Sequence, residues 1–293
     1  MKSILKKIVI SLALISALPF CANAQRSEMG FLAGVSTYKG ELNPTLLDTR
    51  FFSPAVGMFF RYNASRRVAL KANFSYGYIF GDDAKSSDDF AKNRNLSFQS
   101  SLLDVSGHLE FNFLPYEIGN RKYPFTPYVL VGIGIFHFDP RASYTDPVTG
   151  DTRQQQLQPL GTEGQGTTQF PDRKEYALTQ VCVPFGGGIK LNVGQMGIGF
   201  EMAARKIFTD YLDDVSTTYV DHTALKSQNG DVAATMADKS IKQDTKAGSL
   251  RGNSEDTDWY LFAGLTIYFR LDRKPDGCDS FHMRSNYIMK PDR

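Results

Sequence analysis

His108 and Glu110 sit two residues apart in the segment LDVSGHLEFNF, residues 103–113. A histidine beside a carboxylate is a pair from which general acid–base chemistry is built. At this spacing both side chains fall on the same face of an extended strand, and no nucleophile is placed between them. The pair therefore reads as packed polar lining and not as a catalytic dyad. Asp210, Asp213, Asp214 and Asp221 offer carboxylate oxygens of the kind that hold Ca²⁺, but without the spacing of an EF-hand loop. Asp213 and Asp214 read instead as solvated loop capping the exit from a strand.

The stretch PLGTEGQG, residues 159–166, carries three glycines and invites comparison with a phosphate-binding loop. It lacks the Gly-Lys-Ser/Thr ending and the strand-before, helix-after context that such a loop requires. Its glycines instead permit positive-φ turns in a folded-over loop. Residues 231–240, rich in Ala, suit a short helix with Asp231 near its start. Cys182 lies in a strand pattern and Cys278 in the final tail, an unfavourable pair, and no Cys/His spacing fits zinc. No catalytic residue, cofactor or metal site is expected, and the chain reads as a non-enzyme.

The elements that carry these residues follow from the alternation itself. Across 103–113 every odd position is apolar or Gly and every even one polar, the period of a strand with one greasy and one wet face. Residues 1–24 carry early lysines, an apolar run over 8–20 and Ala22-Asn23-Ala24, the pattern of a cleavable secretory signal. Pro19 and Phe20 are poor neighbours for lipid attachment at Cys21. No later apolar run is long enough for a membrane helix of roughly 20 residues.

Eight strand candidates fit, at 28–37, 54–63, 66–79, 96–113, 125–138, 176–192, 196–208 and 258–270. The fold expected is all-β: an eight-stranded antiparallel transmembrane outer-membrane β-barrel with long extracellular loops, spanning 25–270, followed by a tail over 271–293. A secreted β-sandwich is the competing architecture.

Facing follows from keeping charges out of lipid. Val68, Leu70, Ala72, Phe74, Tyr76 and Tyr78 point outward, as do Ile198, Phe200 and Met202, and then Leu261, Ala263, Leu265, Ile267 and Phe269. The fifth strand is apolar on both faces apart from His137, so its facing stays open. Aromatic residues at strand ends (Phe51, Phe52, Tyr62, Tyr78, Phe113, Tyr123, Phe125, Tyr260, Phe269) suit either interfacial girdles or plain β-propensity. The glycines at 186–188 suggest a bend or bulge.

Connections alternate long (38–53, 80–95, 139–175, 209–257) and short (64–65, 114–124, near Gly194), as in barrels with external loops and periplasmic turns. An even strand count puts both termini in the periplasm. The inward set, Arg61, Lys71, Asp104, His108, Glu110, Lys190, Glu201 and Arg205, carries both signs and is expected to fill the lumen as a polar network. With 33 basic against 31 acidic residues there is no global electrostatic case for nucleic acid, and no small-molecule substrate is expected.

Beyond pattern, several segments resemble the PorG family of Bacteroidota outer-membrane proteins: GVSTYKGELNP from Gly34, SPAVGMFFRYN from Ser53, RNLSFQSSLLDVSGHLEFNFLPYE from Arg94, FTPYVLVGIGIF from Phe125, LQPLGTEGQG from Leu157, RKIFTDYLDDVSTTYVD from Arg205 and WYLFAGLTIYF from Trp259. The resemblance implies a non-enzymatic, lipid-embedded component of the type IX secretion system, linked also to gliding motility. It implies contact with a periplasmic ring of PorK and PorN type. On the short-turn side the candidate contacts are Tyr116, Glu117, Arg121 and Lys122 of the 114–124 turn, with Phe281 and Tyr287 of the tail. The alternative is a small ligand-binding or passive transport barrel.

Overall fold

A computed structural model describes residues 27–242 and 246–271. The leader, Cys278, Phe281, Tyr287 and nearly all of the tail lie outside these residues. Nine strands run in chain order: β1 (Ser27–Lys39), β2 (Ser53–Asn63), β3 (Val68–Asp82), β4 (Ser97–Asn112), β5 (Phe125–Thr145), β6 (Thr152–Gln156), β7 (Thr179–Val193), β8 (Met196–Ile207) and β9 (Trp259–Arg270). All pairings are antiparallel, and the order β4-β3-β2-β1-β9-β8-β7-β5 closes on itself because β4 also pairs with β5, from Gln99↔Arg141 to Asn112↔Tyr128. Eight strands thus form a closed barrel, and β6 is a ninth, short strand hydrogen-bonded to β5 outside that ring.

Closure leaves the eight-stranded ring without an edge, and the outer surface shows what it faces. Along β3, Leu70, Ala72, Phe74 and Tyr78 are exposed while Ala69, Lys71, Asn73 and Ser75 are buried. A soluble protein reverses that pattern. Apolar side chains outside and charges inside are stable only where the surround is lipid. Among the described residues no helix is long and apolar enough to cross a membrane, so the strands make the crossing.

The undecided fifth strand is resolved. Val129, Val131, Ile133 and Ile135 face out, whereas Tyr128, Leu130, Phe136 and Phe138 are buried inside. Both faces read as apolar because the inner one carries aromatic plug and two glycines where other strands carry charge. β5 also runs past the expected end near residue 138. Pro140 has no N–H to donate, yet its carbonyl accepts from Leu157 N at 2.9 Å, and the chain returns as β6 within the segment expected to be loop.

Two further expectations are narrowed. The register of β7 with β8 runs unbroken through Gly186, Gly187 and Gly188, so no bulge forms. Glycine is required there because a Cβ at Gly188 would sit 2.0 Å from Phe200 O and 3.0 Å from the Tyr128 ring, which fills the vacant space. Nor do Phe51 and Tyr260 belong to a girdle, since both are buried. Tyr62, Tyr78, Phe113, Phe125 and Phe269 do lie exposed. Leu261 keeps its outward parity but is covered.

Ile133, mid-strand in the outer apolar surface, should tolerate charge poorly. Ile133→Arg is expected to destabilise the barrel by about 2–4 kcal/mol in lipid vesicles, measured by urea unfolding. Val148→Arg, in the exposed β5–β6 hairpin, should change stability by less than about 0.5 kcal/mol. Equal effects at the two positions would mean that β5 does not face lipid.

Candidate functional site

Inward parity on six strands collects charged groups in one space. Arg61 of β2 donates through Nη1 to Glu28 Oε2 of β1 at 2.9 Å, and through Nη2 to Glu110 Oε1 of β4 at 3.2 Å. Its Nε also lies 2.8 Å from Glu110 Oε2. Lys190 of β7 donates to Glu110 at 2.5 Å and to Asn112 at 3.0 Å. Lys71 of β3 bonds both oxygens of Glu201 at 2.6 Å, lies 4.0 Å from Glu110, and shares Glu201 with the Tyr128 hydroxyl at 2.5 Å. Nearer the long loops, Tyr260 donates to Asp104 at 2.9 Å and Arg205 Nε lies 3.4 Å from the same oxygen.

Four cations (Arg61, Lys71, Lys190, Arg205) therefore meet four carboxylates (Glu28, Asp104, Glu110, Glu201), all nearly inaccessible. Sequence reasoning missed Glu28, Tyr128 and Tyr260. The inward parity of β1, which also carries Gly30 and Leu32, was the signal for Glu28.

His108 deserves a chemical reading, because the structure does put a hydroxyl beside it. Ser106 Oγ lies 2.9 Å from His108 Nε2 and donates to Asp104 Oδ1 at 2.8 Å. A working triad orients the imidazole by bonding carboxylate to Nδ1. Here Nδ1 has no partner and the serine proton is directed at the carboxylate. Ser106, His108 and Asp104 are all buried, so the set has neither the order nor the access of a nucleophilic site.

Above this network the lumen turns aromatic. Phe136, Phe138, Tyr176 and Tyr260 pack in a continuous core with Tyr38, Leu212 and Met236, Phe138 stacked on Tyr176 at 6.0 Å. The long loops lock over it through Glu163, which accepts from Ser216 N (2.9 Å), Thr217 N (2.9 Å), Thr217 Oγ1 (2.6 Å), Tyr211 Oη (3.2 Å) and Arg251 Nη1 (2.9 Å). The 159–166 glycine segment is thus a packed strap, with Gly161, Gly164 and Gly166 at positive φ.

Asp213 and Asp214 are buried, contrary to the solvated reading. Asp214 accepts from Thr162 (2.6 Å) and Tyr176 (2.7 Å), and burial pushes its carboxyl up to about 6 while Arg251 pulls the other way. Asp221 caps α1 (His222–Asn229), and α2 (Asp231–Ala237) follows it.

At the other end, the short-turn residues do not form one surface. Tyr116 is buried, its hydroxyl 2.9 Å from that of Tyr268 and donating to Leu191 O at 3.2 Å, so it anchors the turn and is not free for a partner. Glu117 pairs with Arg66 at 3.1 Å and approaches Arg270 at 3.7 Å. Burial works against its charge, but the bonds from Asn120 and Arg66 hold its carboxyl below the usual range. Arg121 and Lys122 are exposed. Beside them a cavity of about 660 Å³ opens among Arg66, Arg67, Tyr116, Glu117, Tyr123 and Arg270.

Residues 6–161 match a family described as a domain of unknown function, DUF6089. The chain belongs to that family. No curated protein matches it. Among solved structures it is similar to Ail of Yersinia pestis (11% identity, 83% of this chain and 98% of that one, TM-score 0.35) and Neisserial surface protein A (6%, 83% and 96%, TM-score 0.39). It is also similar to the outer membrane enzyme PagL (10%, 83% and 98%, TM-score 0.31). At these identities and scores the likeness carries no functional argument. The closed barrel with its apolar exterior is the independent ground for an outer-membrane protein.

Removing the Glu110 carboxylate leaves three cations facing one another. Glu110→Ala should cost about 3–5 kcal/mol of stability, read by denaturant unfolding in micelles. Adding Lys190→Met should recover part of the loss, giving a coupling of roughly 1 kcal/mol or more. Additive losses would mean that the two side chains do not share one network.

Proposed function

We propose that this barrel is a non-enzymatic scaffold of the outer membrane, a component of type IX protein secretion whose short-turn face lies in the periplasm and contacts a ring of PorK and PorN type. The observation that carries this reading is the short-turn mouth. Arg66, Arg67 and Arg270 outnumber Glu28 and Glu117 around an accessible polar cavity, and Arg121 and Lys122 stand exposed on the adjoining 114–124 turn, a basic face that suits an acidic partner segment. The segments that resemble the PorG family, including the 114–124 turn, supply the choice of partner.

The interior supports scaffolding over transport. An eight-stranded barrel has room inside only for side chains, and here those side chains are ion-paired below and aromatic above. A scaffold needs no such path. Lipid contact holds the barrel in place, and one rigid end meets the machinery.

Two measurements separate the alternatives. Affinity capture from solubilised membranes should recover the ring proteins with the wild-type chain and lose most of them with Arg121→Glu/Lys122→Glu, which touches neither lumen nor Tyr116. Equal recovery by both would place the contact elsewhere, and recovery by neither would make the partner wrong. In planar bilayers the purified barrel should stay silent, whereas stepwise openings would favour the transport reading.

A further inference from the structure

Three carboxylates from distant parts of the chain converge at the rim of the long-loop side. One carboxylate oxygen each from Glu41, Asp213 and Asp258 lies within 4.8 Å of the other two. Asp213 Oδ2 is held by Glu41 N at 3.1 Å, Leu42 N at 3.4 Å and the Tyr38 hydroxyl at 3.3 Å, and Asp258 Oδ2 by Leu212 N at 2.9 Å. These donors, with Val215 N on Asp213 Oδ1 at 3.0 Å, fix Asp213 and Asp258 in place. Asp258 is 1% exposed, yet its Oδ1 has no hydrogen-bond partner, and neither has Oε2 of the half-buried Glu41.

The unpartnered Asp258 Oδ1 faces Asp213 Oδ2 across the space beside Gly40. A Cβ on Gly40 would lie 2.4 Å from Asp258 Oδ1 and 3.1 Å from Asp213 Oδ2, so the absence of a side chain there keeps a small space between two acids open. Nearby positive charge is committed elsewhere. Arg94 is bound to Asp83 at 2.8 Å and to the carbonyls of Glu41 and Arg251, and Arg251 to Glu163 and Asp214. Among the described residues no Lys, Arg or His forms an ion pair with Glu41, Asp213 or Asp258, and Lys39 on the same rim is exposed. Buried carboxylates without a counter-charge are costly.

We infer that Glu41, Asp213 and Asp258 form a Ca²⁺ site that pins the β1–β2 loop to both ends of the β8–β9 loop. All-oxygen ligation selects a hard cation, and an irregular set drawn from three segments suits the flexible coordination of Ca²⁺ better than the octahedral demand of Mg²⁺. A cavity of about 180 Å³ borders Glu41 and Asp258, leaving room for water ligands and a path for the ion. Of the acidic residues read from sequence alone as offering Ca²⁺ ligands, Asp210, Asp213, Asp214 and Asp221, only Asp213 is among the three.

The chain's single tryptophan, Trp259, adjoins Asp258 and gives the test. The full mature barrel, refolded free of lipid into micelles, is titrated with Tb³⁺ under excitation of Trp259, and Ca²⁺ is then added in competition. Sensitised emission that Ca²⁺ displaces in the range of about 10⁻⁴–10⁻³ M supports the site. Glu41→Gln and Gly40→Ala should each weaken it roughly tenfold or more. The second variant removes no charge and fills the space between the acids. Heat-dependent gel mobility confirms that each variant folds, and Glu41→Gln, at the cavity edge, keeps the test valid if Gly40→Ala does not. Emission that Ca²⁺ fails to displace, or that both folded variants leave unchanged, overturns the assignment.

Discussion

Glu110 lies within 4.0 Å of three cations, Arg61, Lys71 and Lys190, and none of the four side chains can reach water. Lipid outside and a narrow, closed lumen inside leave each inward charge only other inward charges as partners. The equality of four cations and four carboxylates is a consequence of that confinement. Because the members come from β1, β2, β3, β4, β7 and β8, with hydroxyls from β5 and β9, no strand can be removed without exposing the charge of another. A small barrel holds its shape here through polar contacts where a soluble domain would use an apolar core.

The lumen is not uniform, and the difference has a physical origin. Near the short turns the strands end in polar groups and the network meets a solvated mouth. Toward the long loops the filling is aromatic, since the loops folded over that end exclude water and bring their own Leu212, Val215 and Met236 into the same cluster. Backbone groups in those loops are satisfied by buried acids, above all Glu163 and Asp213, so the cap is a folded layer in its own right.

Strand positions, their alternation and the long–short rhythm of connections were legible because lipid imposes a rule on every outward residue separately. A run of eleven residues is enough to read it. Partnerships were not legible. Tyr116 looked like an exposed turn residue because its partner, Tyr268, lies 152 positions away. Asp213 and Asp214 looked solvated because adjacent acids in a polar loop usually are, whereas their burial depends on a loop closure that local sequence does not encode. The fifth strand was undecided for a related reason: parity is readable only where the two faces differ in polarity, and its inner face meets the aromatic plug. The triad-like contact of Ser106 with His108 comes from a residue two positions upstream on the same face of β4, on the side of the histidine away from Glu110.

Glu163 comes from the loop between β5 and β7, yet every donor to it that matters, Tyr211, Ser216, Thr217 and Arg251, belongs to the loop between β8 and β9. Two segments far apart in the chain therefore have a single conformation between them. The outermost surface is not a set of independent variable loops that can drift one at a time. A change of length in either must be answered by the other, so this end of the molecule is constrained to vary in pairs, and any shape it presents outward is discontinuous in sequence.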